Sequence, residues 1–158
     1  MTRVVGLGAS AGGLEPLEQF LGSVPPHSGL TFVVVQHMDP THQGMLSALL
    51  QRVTDMPVCE ATEATVLAPD AVYVIPPNTE LSVVHGALHL NVPALPRGQR
   101  LPIDTLFCSL ARDQGERAVG VVLSGMGADG TLGVQAIRSQ GGLTLAQTPG
   151  SAQFDSMP

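Results

Sequence analysis

The chain has 158 residues, 44% hydrophobic and 13% charged, a length and apolar content that suit one domain burying about two-thirds of its unfolded-chain surface. All seven basic residues are arginines, which excludes chemistry that requires a lysine, such as a Schiff base, a Walker A phosphate loop or a Tyr/Lys reductase pair. A formal net charge of −6, four phenylalanines, one tyrosine and no tryptophan leave neither a basic patch for phosphates nor stacking platforms for bases, so nucleic acid is excluded as a partner.

At the N-terminus, Arg3 precedes an apolar stretch, and Ala9-Ser10-Ala11 has the small-x-small form of a cleavage site. The stretch is too short for a secretion signal and is broken by Gly6 and Gly8. No later run approaches the roughly 20 apolar residues of a membrane span, so a cytoplasmic protein without membrane insertion is expected.

Four short runs, Val4–Leu7, Leu30–Val35, Ala118–Leu123 and Leu143–Ala146, are apolar apart from Thr31 and Thr144 and rich in β-branched residues, as strands buried on both faces of a parallel sheet are. Between them lie helical spacings: Leu14, Leu17, Phe20, Leu21; then Met45, Leu46, Leu49, Leu50, Val53; then Ile103, Leu106, Phe107, Leu110. The middle differs. Val72–Ile75 precedes Pro76-Pro77, and Leu81–Val84 and Ala87–Leu90 flank His85-Gly86, which reads as an antiparallel hairpin excursion. Residues 93–102, with three prolines and a glycine, read as an ordered loop into the third helix, not as a domain boundary. The alternation predicts a three-layer, Rossmann-like, doubly wound α/β fold with a mainly parallel sheet and a hairpin excursion. Cys59 and Cys108 have no CxxC or zinc spacing and read as small buried hydrophobes without a disulfide.

In open parallel sheets the site lies beyond the carboxyl ends of the strands. Three loops there carry polar residues: 8–13 after the first strand, 36–40 after the second, and 124–130 after the strand at Ala118–Leu123. The first satisfies two motifs at once. Gly6-x-Gly8-x-x-Ala11 fits a dinucleotide fingerprint, and Gly8-x-Ser10-x-Gly12 fits the turn that exposes a nucleophilic serine. The dinucleotide reading needs an acid at the end of the second strand, where Gln36 and His37 stand instead.

A serine hydroxyl needs a neighbouring imidazole to remove its proton, and the imidazole needs an acid to fix its tautomer. His37 leaves the second strand at the same edge as Ser10, and Asp129 can supply the acid. Glycines at 125, 127 and 130 let backbone N–H groups approach an oxyanion, with Ala11 and Met126 as the donors. The order Ser, His, Asp differs from that of the α/β-hydrolases. Two blander readings stand beside the triad: Ser10 caps the first helix, and Asp129 caps the helix that follows it. A third treats His37, Asp39 and His42 as metal ligands, although His27, His85 and His89 complete no ligand spacing and Thr41 suits a helix cap. No metal and no cofactor is expected.

Gly8-Ala9-Ser10-Ala11-Gly12-Gly13, Val35-Gln36-His37-Met38, Tyr73-Val74-Ile75-Pro76-Pro77, residues 123–130 and the closing residues 152–158 together resemble the catalytic domain of the CheB-type protein-glutamate methylesterases. Residues 32–37 and Leu101-Pro102-Ile103-Asp104 are most similar to the version fused to a methyltransferase in hybrid chemotaxis-type proteins. The resemblance implies a Ser10/His37/Asp129 hydrolase acting on glutamate γ-methyl esters of a chemoreceptor's cytoplasmic helices, releasing methanol, with glutamine deamidation in some members. A fused or cognate methyltransferase is the implied second partner. It also implies a single catalytic domain over 1–158 with no receiver domain before Met1 and without the family's final helix and strand. Ala11 stands where many members carry threonine. Arg97, Arg100 and Asp104 border the expected cleft or sit on an exposed loop, and no role is assigned to them. The alternative function is a catalytically weak docking module of a larger fused signalling protein.

Overall fold

The computed structural model describes residues 2–37, 45–96 and 98–158. Six strands form one parallel sheet: β1 (Val4–Ala9), β2 (Thr31–Gln36), β3 (Val58–Glu60), β4 (Ala71–Val74), β7 (Ala118–Val122) and β8 (Leu143–Ala146), in the order β3-β4-β2-β1-β7-β8. β5 (Glu80–Val84) and β6 (Ala87–Asn91) make a separate antiparallel pair. The central strands β1, β2, β4 and β7 are buried along nearly all their length, as continuous apolar runs in a two-sided sheet require.

Helices α1 (Leu14–Gly22) and α2 (Leu46–Gln51) cover one face, where Leu17, Leu21, Leu46 and Leu50 pack with Phe32 and Val34. Helices α3 (Pro102–Gln114) and α4 (Thr131–Ser139) cover the other, where Ile103, Phe107, Leu110 and Ile137 pack with Val33 and Val122. The Phe107 side chain is seated on bare backbone: a Cβ at Gly6, Gly120 or Gly133 would stand 2.7, 3.1 or 2.5 Å from it. Full burial of such a side chain contributes about 1.5–3 kcal/mol.

The expected three-layer α/β architecture is observed, with two additions. Ala71–Val74 is not part of the hairpin excursion; it is an internal strand, paired parallel with both β2 and β3. The three-residue β3 forms the sheet edge, so Cys59 on it is exposed and not the buried hydrophobe expected, while Cys108 is half-buried; both thiols are free. The hairpin packs Leu81 and Val83 against α3, and its turn has positive φ at His85 (51°) and Gly86 (71°), as a two-residue type I′ connection requires. Among the described residues no helix is long and apolar enough to cross a membrane.

Candidate active site

The register of β1 with β2 pairs Ala9 with Gln36, so the next residues, Ser10 and His37, emerge side by side at one sheet edge. The His37 backbone N–H donates to Ala9 O at 3.0 Å, and the Ser10 N–H donates to Ser124 O at 2.9 Å, tying the ends of β1, β2 and β7 together. β1 is flanked by β2 on one side and β7 on the other, the position at which crevices open in such sheets.

Ser10 begins a tight turn closed by Gly13 N–H donating to Ser10 O at 3.0 Å. The third turn residue, Gly12, has φ +70°, which a type II turn requires and which glycine adopts without strain. Ser10 itself keeps an ordinary negative φ, unlike the residues of left-handed conformation. α1 is capped by Gly13 without a side-chain bond, so Ser10 does not cap it.

His37 Nε2 lies 2.7 Å from Asp129 Oδ2, with the histidine side chain 33% exposed and the aspartate 5%. Because a carboxylate only accepts, the neutral ring carries its proton on Nε2 and leaves Nδ1 as the acceptor. Ser10 Oγ makes no hydrogen bond to His37 among the described residues.

Asp129 does not cap the helix that follows it. Its Oδ2 also accepts Ile103 N–H and its Oδ1 accepts Asp104 N–H, both at 2.9 Å, capping α3. Asp104, in the first turn of α3, in turn accepts Gly130 N–H at 3.0 Å and Gly133 N–H at 2.8 Å through Oδ1, capping α4. Burial pushes the Asp104 carboxyl above its usual range and the Asp129 charge adds to this, against the N–H donors of Gly133 and Gly130. Burial likewise pushes the Cys108 thiol up, so it offers no reactive thiolate.

The glycine loop after β7 is held from both ends of the chain. Ser124 is fully buried; its Oγ donates to Ala11 O at 2.9 Å and accepts Phe154 N–H at 3.0 Å. Gly125 N–H donates to Phe154 O at 3.0 Å, Gly125 O accepts Met157 N–H at 3.1 Å, and Gly127 N–H donates to Ser156 Oγ at 3.0 Å. A Cβ on Gly125 would collide with Met157 Sδ and stand 2.7 Å from Ser10 Cβ. The N–H groups of Ser124, Gly125 and Gly127 are thus engaged, whereas those of Met126 and Ala11 donate to no acceptor among the described residues.

A cleft of about 430 Å³ opens beside this arrangement, and its lining includes His37, Met126, Asp129, Pro77, Asn78 and Arg100. Ser10 and Ala11 lie outside its lining. Arg100 reaches Asn78 Oδ1 through Nη1 and Leu95 O through Nε, both at 2.6 Å. The dinucleotide fingerprint has a packing explanation: a Cβ on Gly8 would stand 2.6 Å from Ile103 Cγ2. Asp39, Thr41 and His42, which the metal reading and its helix-cap alternative involve, and Arg97 lie outside the described residues. Sequence spacing does not reveal the hydrogen-bonding roles of Asp104 and Ser124; for Asp104 the signal is an acid in the first turn of one helix with another just before the next.

A family model described as CheB methylesterase matches residues 5–158. The chain is 36% identical over 160 residues to a protein of Pseudomonas aeruginosa named protein-glutamate methylesterase/protein-glutamine glutaminase 2, covering 99% of this chain and 46% of that protein. It is 46% identical over 113 residues to an uncharacterised 104.1 kDa protein of Rhodobacter capsulatus, covering 72% of this chain and 12% of that one. The chain thus spans under half the length of these relatives. The crystal structure of the Thermotoga maritima CheB methylesterase catalytic domain superposes with a TM-score of 0.91 at 26% identity, covering all of this chain and 86% of that one. A serine at the carboxyl end of the central strand β1, a histidine held by a buried aspartate, and a family match from residue 5 to residue 158 lead to one conclusion: the chain belongs to the CheB methylesterase family.

Proposed function

We propose that the chain is a cytoplasmic serine hydrolase that removes γ-methyl esters from glutamate side chains of a chemoreceptor-like protein, with Ser10 as nucleophile, His37 as base and Asp129 as orienting acid. The observation that carries this reading is the 2.7 Å bond from His37 Nε2 to Asp129, on strand ends that set His37 beside Ser10. The names of the relatives add the substrate class, and glutamine deamidation follows from the same acyl transfer with ammonia in place of methanol. A fused or cognate methyltransferase is the second partner in this reading; the matched segment is 12% of the 104.1 kDa Rhodobacter relative, so a domain of this kind occurs within a much longer chain.

In the proposed cycle, Nδ1 of His37 takes the Ser10 proton as Oγ attacks the ester carbonyl. Asp129 stabilises the imidazolium through Nε2–H, and the N–H groups of Ala11 and Met126 receive the oxyanion. The imidazolium then protonates the departing methoxide, which leaves as methanol. Water, deprotonated by His37, attacks the acyl-serine and releases the glutamate carboxylate with Ser10 restored. No step calls on a metal.

The deciding experiment measures methanol release from methylated receptor fragments with EDTA present. Ser10→Ala is expected to lower the rate at least about a thousandfold, because triad members act as a unit. Retention of more than about a tenth of the rate would remove Ser10 from the mechanism. An inactive wild-type chain that still binds the fragments would point to the docking module instead.

A further inference from the structure

We propose that Asp104 is a positioning residue of this site, holding Asp129 from both sides by hydrogen bonds. The two acids exchange helix ends. Asp129 precedes α4 but its carboxylate takes the Ile103 and Asp104 N–H groups of α3, while Asp104 lies in α3 but its carboxylate takes the Gly130 and Gly133 N–H groups of α4. A closed ring results: Asp104 N–H grips the Asp129 side chain, and Asp104 Oδ1 grips the backbone one residue after Asp129.

The ring matters because the loop has little stiffness of its own. Gly127 and Gly130 flank Asp129 with φ of +88° and +101°, and glycine leaves the backbone many alternatives. The N-cap residue of α4, Gly130, has no side chain to hold the helix end. Asp129 Oδ2 is shared between Ile103 N–H and His37 Nε2, so any drift of Asp129 turns the imidazole. A displacement near 1 Å in such a constellation costs on the order of a hundredfold in rate.

The inference rests on the proposed hydrolase reading for its activity arm and is independent of it for its spectroscopic arm. The variants are Asp104→Asn, which keeps Oδ1 and loses the charge; Asp104→Glu, which keeps the charge and displaces it; and Asp104→Ala. Each folded variant is assayed for kcat and KM on the methylated fragments. The tautomer of His37 is read from its ring ¹⁵N shifts. Wild type and Asp104→Asn are expected to hold the Nε2–H tautomer, with kcat within about threefold of each other. Asp104→Glu and Asp104→Ala are expected to mix tautomers and to lose about 10- to 100-fold in kcat at unchanged KM.

If Asp104→Ala does not fold, the Asn and Glu pair still separates geometry from charge. Wild-type tautomer and kcat in folded Asp104→Glu or Asp104→Ala would reduce Asp104 to a helix cap and overturn the proposal. So would a loss in Asp104→Asn as large as in Asp104→Glu. An inactive wild type would defeat the hydrolase reading alone, because the tautomer pattern would still decide whether Asp104 holds Asp129.

Discussion

Asp104 carries an electrostatic cost along with its hydrogen bonds. Removal from water pushes its carboxyl above the usual range, and the neighbouring Asp129 charge pushes in the same direction. A carboxyl whose folded pKa lies above its unfolded value contributes stability that is present below the unfolded pKa and lost as pH rises through the folded one. Asp104→Asn does not titrate. The stability of wild type relative to Asp104→Asn is therefore expected to fall as pH rises from about 4, the ordinary aspartate range. Urea unfolding of both proteins at several pH values measures this difference, and a difference that stays constant or grows with pH would contradict the desolvation account. The residues of the proposed triad were legible in sequence because each stands just past a strand or in a glycine loop. The direction in which the acids cap was not. Asp129 precedes α4 and Asp104 opens α3, so local capping rules assign each to its own helix, and only the packing of α3 beside α4 reverses the assignment. Ser124 lies within the 123–130 motif, but its bond to Phe154 spans a sequence separation of 30 that no spacing rule anticipates.

Between elements, the hairpin is fastened to α3 through polar contacts as well as through Leu81 and Val83. Asp113 accepts the His85 and Gly86 N–H groups on its two oxygens, and Ser109 Oγ accepts Val83 N–H at 2.9 Å. Asp113 thus satisfies both donors of the type I′ turn. Asp113→Ala is expected to cost about 1.5–3 kcal/mol, the scale of hydrogen bonds to a charged acceptor. Because that turn is at the far end of β5 from the cleft residue Glu80, kcat should stay within about twofold. Urea unfolding and amide exchange at residues 85 and 86 test this; unchanged stability and protection would show that the turn stands without Asp113. The hairpin was legible from His85-Gly86 because two positive-φ positions leave few residue choices. β3 was not, being three residues long and largely exposed. β4 was apolar enough to be noticed, but its place between β2 and β3 depends on crossovers that alternating apolar runs do not encode.

At the scale of the whole molecule, the proposed site depends on chain segments that are far apart in sequence. The strand ends of β1, β2 and β7 bring Ser10, His37 and Asp129 to one edge, a convergence that parallel-sheet topology makes foreseeable. What topology does not foretell is that residues 154–157 return to that edge and pair with the glycine loop. Phe154 O, Met157 N–H and Ser156 Oγ engage Gly125 and Gly127, and Met157 enters the apolar core below. These bonds fix the loop in the form that leaves Met126 N–H unengaged for the proposed oxyanion. A variant truncated after Ala152 removes them and leaves every strand and helix residue in place. It is expected to keep its far-UV circular dichroism, to lose amide-exchange protection at Gly125 and Gly127, and to lose about a hundredfold in kcat. A truncated chain with full activity would mean that the loop holds its own shape, and would remove the physical reason for assigning Met126 N–H to the oxyanion.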